Sequence, residues 1–125
     1  MSTVRPNLNA VAIVPQELDG ATASTGFCVL RPNKELLDSQ YLFAWVRSNA
    51  FISEMVRLAT GASYPAVTDK IIYSSVLYRP PKSLQKKYAC RVNAIEKIKT
   101  AHRASLAELN AFFASLEYRA FRGEW

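Results

Sequence analysis

The stretch Ser75-Val76-Leu77-Tyr78-Arg79-Pro80-Pro81-Lys82-Ser83-Leu84-Gln85 decides how the chain is read. A short apolar run, Ser75 to Tyr78, reads as a strand, and the two prolines after it remove two backbone donors and fix φ near the value that ends a strand. Pro81 also stands well just ahead of a helix start, where a missing N–H costs nothing. From there to Gly123 the sequence contains neither Gly nor Pro. The chain changes state at Pro80-Pro81.

A heptad runs through the segment beyond the two prolines. Counted back from Ala120 by alternate steps of four and three, the seam is Leu116, Phe113, Leu109, Leu106, His102, Lys99, Ile95, Val92, Tyr88 and Gln85, apolar except at His102, Lys99 and Gln85. That is a coiled-coil pattern with a polar middle. A helix from Ser83 to Phe121 would be about 58 Å long, too long for the eighty residues before it to cover. The expectation is that it packs along a second long helix, from another copy or another chain.

Upstream, Ala10 to Val14 and Phe27 to Leu30 read as strands bounded by Pro15, Gly26 and Pro32, with a turn at Glu17-Leu18-Asp19-Gly20. Asp38 or Ser39 can cap a helix carrying Tyr41, Leu42, Trp45 and Val46, and Ser48-Asn49 interrupts it before a second run, Phe51, Ile52, Met55, Val56 and Ala59. Gly61 reads as the stop of that run, and Thr68-Asp69-Lys70 as the start of a short helix. The expected fold class is therefore α+β: a small mixed α/β domain over residues 1–80, then one long helix over 81–125.

Charge separates the same two parts. The chain carries a net charge of +6, and residues 81–125 hold nine Lys/Arg against four Asp/Glu, while residues 1–80 are nearly balanced. Between positions 82 and 103, Lys82, Lys86, Lys87, Arg91, Lys97, Lys99 and Arg103 face only Glu96. Cations near a helix N-terminus oppose its dipole, so helix stability does not account for them. A phosphate backbone or an acidic protein surface would, and a merely solvated basic face is the alternative.

The same segments, taken together, resemble a known family. Thr3-Val4-Arg5-Pro6 with Ala12-Ile13-Val14-Pro15, then Ser24-Thr25-Gly26-Phe27-Cys28-Val29-Leu30-Arg31-Pro32, Thr60-Gly61-Ala62-Ser63-Tyr64-Pro65-Ala66-Val67, the Pro80-Pro81 to Gln85 junction and Ala120-Phe121-Arg122-Gly123-Glu124 are similar to the DNA-specificity subunits of type I restriction-modification systems. The resemblance implies a target-recognition domain that reads double-stranded DNA and a long helix that docks methyltransferase subunits, with restriction subunits as further candidate partners. A complete specificity subunit has two such domains and two such helices, so the chain reads as a fragment or half subunit: the end of one recognition domain plus one helix. Leu84 stands before Gln85 where the family commonly has Glu. Methyl transfer and cleavage belong to other subunits in that family.

Within this frame the candidate DNA contacts are Arg5, Asn7, Ser63, Tyr64, Lys70, Lys82, Lys86, Lys87 and Arg91. The loop from Gly61 to Val67 offers a hydroxyl, a phenol and backbone donors suited to phosphates or base edges. Without the family it is a packing turn after a Gly61 helix cap; for Arg5 and Asn7 a frayed terminus is an equal alternative to a DNA approach. The candidate helix interface is Tyr88, Val92, Ile95, His102, Leu106, Leu109, Phe113 and Leu116, which points to a homodimer through the helix. A truncated interaction module that homodimerises without specific DNA binding is the alternative function.

Catalysis is not expected. His102 is the only histidine and falls on the seam, where a polar residue sets register. The four glycines form no phosphate-binding loop, and nothing activates a Ser or Cys nucleophile. No cofactor or metal is expected, since Cys28 and Cys90 form no CxxC and read as buried or idle thiols. No secretion signal or apolar stretch of membrane-spanning length is present, so the expected compartment is the cytoplasm, away from membranes.

Overall fold

The computed structural model describes residues 1–124. Four helices are present: α1 over Ser39–Val46, α2 over Asn49–Leu58, α3 over Asp69–Ser74 and α4 over Lys82–Arg122, with 3₁₀ turns at Pro6–Leu8 and Gln16–Leu18. The first compact unit comprises Met1–Lys87 and the second begins at Tyr88. The first six residues of α4 therefore belong with α1, α2 and α3.

The α+β expectation is overturned. Helices make up 57% of the chain, against 4% in strand-type pairing, and what pairing exists among the described residues is isolated bridges, Ser2 with Phe27 and Ala66 with both Val4 and Thr60. The reason is that the apolar runs lack neighbours to ladder with. Met1 and Thr3 exchange backbone hydrogen bonds with Cys28 and Gly26 at 2.8–2.9 Å, while Arg5 and Val67 bond to Pro65 and Thr3. The first five residues are thus threaded between residues 26–28 and 65–67, each pairing lasting two or three residues. Ala10 to Val14 and Ser75 to Tyr78 run without regular structure instead of forming strands.

Local chemistry sets the helix starts. The Asp38 carboxylate accepts from the backbone N–H groups of Gln40 and Tyr41, the Ser48 hydroxyl oxygen accepts from Phe51 N–H, and the Thr68 hydroxyl oxygen accepts from Ile71 N–H. Each satisfies one or two of the amides that a helix N-terminus leaves open. The end of α2 differs from the glycine stop expected: the chain leaves the helix at Ala59, already extended, and Gly61 turns the loop beyond it.

The core of the first unit is Cys28, Val46, Phe51, Met55, Val67 and Ile72, all buried. Phe51 and Met55 lie one turn apart on α2 and face inward together, and the Trp45 ring meets Phe51 at 4.6 Å between centroids. Gln85 is the one fully buried polar side chain of this unit with no surface at all exposed. Its Oε1 accepts from the N–H of Asp38 at 2.8 Å, and its Nε2 donates to the carbonyls of Leu36 and Pro80 at 3.1 and 2.8 Å. Gln85 is therefore no member of an intermolecular seam. It fastens the start of α4 to the cap of α1.

Candidate functional site

Two surfaces gather the residues that sequence singles out, one in each unit. In the first unit the loop after α2 is closed by paired backbone bonds between Thr60 and Ala66, both 2.9 Å. Gly61 sits at φ +103, and a Cβ there would meet the Tyr64 carbonyl oxygen at 3.1 Å, so the turn needs glycine. Ser63 and Tyr64 are exposed at its tip.

Arg5 comes to this loop from far upstream in the sequence. Its N–H donates to the Pro65 carbonyl at 2.8 Å, its own carbonyl accepts from Leu8 at 2.9 Å, and its guanidinium lies over the Tyr64 ring, 4.6 Å from the centroid. Arg5 holds φ +51 directly before Pro6. A left-handed conformation costs a residue with a side chain roughly 1–2 kcal/mol, and proline disfavours helical geometry in the residue before it. Asn9 takes φ +50 at the far end of the same 3₁₀ turn. Of the two readings of Arg5, fraying is the one its backbone bonds oppose.

The remaining candidates divide. Asn7 is exposed in the 3₁₀ turn and Lys70 in the first turn of α3; among the described residues neither has a hydrogen bond or ring contact to the Arg5–Tyr64 pair. Lys82 is half-buried and its Nζ donates to the Lys34 carbonyl at 2.7 Å, so it serves the junction of α4. Lys86 and Lys87 are exposed in the first unit and Arg91 in the second. Lys99 pairs with Glu96 at 2.7 Å on the helix surface.

In the second unit the residues expected to form the helix interface are open to solvent. Leu109 and Phe113 are 62% and 61% exposed, Ile95 and Leu106 more than half so, and Tyr88 and His102 are exposed as well, while Val92 and Leu116 are half-buried. Strict heptad counting missed two members, Ile98 and Phe112, at 57% and 62%. At about 100° per residue Ile98 falls at the angle of Leu116 and Phe112 about 40° beyond it, which makes the stripe broader than a two-position seam. A wheel at 3.6 residues per turn, instead of steps of four and three, is the signal that finds them.

Burial, reinforced by the hydrogen bond to Asp69, raises the Cys28 pKa above the usual thiol value, and Tyr73 opposes the shift. The Tyr73 pKa is raised in turn, chiefly by that thiol, and its hydroxyl donates to the Val29 carbonyl. A thiol held protonated is a poor nucleophile. Among the described residues no cluster of three or more His, Cys, Asp or Glu side chains is placed to hold a metal ion, and no helix is long and apolar enough to cross a membrane. Compared with known protein families, curated proteins and solved structures, the chain finds no match in any of the three.

Proposed function

We propose that the chain is a non-catalytic DNA-recognition subunit, or half of one, that joins methyltransferase subunits through α4 in a type I restriction-modification complex. The observation that carries the assembly half of this reading is the stripe of Ile95, Ile98, Leu106, Leu109, Phe112 and Phe113, large apolar side chains left open along one arc of a helix. Isolated exposed apolar residues are ordinary, but a contiguous stripe marks a place where another chain packs. The recognition half rests on the resemblance of the five segments and on the exposed loop at Ser63-Tyr64 with Arg5 beside it. The Pro80-Pro81 to Gln85 junction of that resemblance has a physical role here, because Gln85 anchors the helix start.

Light scattering after gel filtration tests the reading, with the chain alone and then mixed with a type I methyltransferase subunit. A defined complex supports it. A chain that self-associates and ignores that subunit overturns it in favour of the second reading, a helix-mediated homodimer without specific DNA binding, which the same stripe favours. Replacing Lys86, Lys87 and Arg91 with Gln adds a DNA-side test: each phosphate contact removed should lower the salt slope of binding by about 0.9, and an unaltered slope assigns the three to solvent or protein.

A further inference from the structure

Three arginines lie over aromatic rings among the described residues, and one of them differs in kind. Arg47 over Phe43 and Arg122 over Tyr118 are neighbours one helical turn apart, at 4.8 and 4.4 Å, and helix geometry brings them together without further cause. Arg5 and Tyr64 are far apart in the sequence, and each is fixed by its own backbone: Arg5 by bonds to Pro65 and Leu8, Tyr64 by the Thr60–Ala66 closure and the Gly61 turn. The unit holds Arg5 in an unfavourable left-handed conformation to achieve this. Strain that the surroundings impose at an exposed, chemically capable side chain points to use.

The ring positions the guanidinium without consuming its donors. No carboxylate or carbonyl among the described residues accepts from the Arg5 side chain, so its fork of N–H groups faces outward from a fixed base. Resting on the DNA-recognition reading above, we infer that Arg5 reads a guanine edge in the major groove, with Tyr64 as its positioning residue. A fork held in one orientation matches two acceptors in one plane, and guanine O6 with N7 is that pair among the base edges. Phosphate contacts carry no sequence information and gain little from a rigid donor, whereas fixing the fork beforehand favours the matching base over the others.

The test is selection from a pool of random-sequence duplexes by the full chain, repeated with Arg5→Lys, Arg5→Gln, Tyr64→Ala and Tyr64→Phe after circular dichroism has verified that each folds. The wild-type chain should enrich a motif containing a guanine whose preference falls about five- to hundredfold in Arg5→Lys, which keeps the charge and loses the fork, while the salt slope stays the same. Tyr64→Ala should weaken the same position alone, and Tyr64→Phe, which retains the ring, should restore it. An Arg5→Lys variant with an intact motif overturns the inference, and an Arg5→Gln variant with an intact motif and a smaller salt slope assigns Arg5 to a phosphate. If the wild-type chain enriches no sequence, the DNA-recognition reading itself fails and the inference with it.

Discussion

At the scale of single residues, Gln85 concentrates more of the first unit's polar bonding than any other side chain described. Its three hydrogen bonds reach Asp38, Leu36 and Pro80 from a site with no solvent contact. Gln85→Leu keeps the volume but leaves a buried N–H and two carbonyls without partners, each costing about 1–3 kcal/mol. We expect a loss of about 3 kcal/mol or more in urea unfolding monitored at the tryptophans. A variant within about 0.5 kcal/mol of the parent would remove the anchoring role. The two cysteines offer a second check, because Cys90 is exposed and Cys28 buried. A chromogenic disulfide reagent should titrate one thiol rapidly and the other only on unfolding. Cys28 has its pKa raised in the folded chain, so the unfolded chain releases that proton first as pH rises. The contribution is complete below the ordinary thiol value of about 8.5 and is lost as pH climbs from there through the folded value; Cys28→Ala should flatten that alkaline decline.

At the scale of elements, the helices end as deliberately as they begin. Gly123 sits at φ +71, its N–H donates to the Ala120 carbonyl at 3.1 Å, and Glu124 N–H reaches back to Arg119 at 2.9 Å, the paired bonding of a Schellman stop. Gly123→Ala should cost about 1 kcal/mol and speed hydrogen exchange at the amides of residues 123 and 124; unchanged exchange would argue against the stop. These devices are local, and so they were legible: an Asp, Ser or Thr before an apolar period, a Pro at the start and a Gly at the end announce themselves within a few positions. The expected strands failed for the complementary reason. Ala10 to Val14 and Ser75 to Tyr78 have the composition of strands, but a strand exists only through a partner, and residues 1–5, which supply most of the bridging in this unit, pair with 26–28 and 65–67 instead. Gln85 was misread likewise, since heptad spacing assigns it to a seam and only its bonds to residues 36, 38 and 80 reveal its work. The Arg5–Tyr64 contact had both members in view and no local signal joining them.

At the scale of the whole molecule, the two units draw their order from different sources. The first has a core of its own, whereas the second is a helical stretch whose large side chains stay open to solvent. Isolated helices owe little of their stability to propensity, so the helix beyond Tyr88 should depend on association. The melting temperature of the helical signal should rise with protein concentration, as mass action requires, and Leu109→Asp, which sets a charge in the stripe, should abolish that dependence. A concentration-independent transition would show that the stripe does not self-associate. The threading of residues 1–5 between segments 26–28 and 65–67 bears on a different matter, the order of events during synthesis. Residues 1–5 cannot complete their bonding until residue 67 exists, and closing loops of such length is slow. The last fastening waits for Gln85. Residues 1–5 therefore meet the first of their partner segments, 26–28, long before the second, 65–67, and the unit closes only once the stretch that ends in Gln85 has left the ribosome.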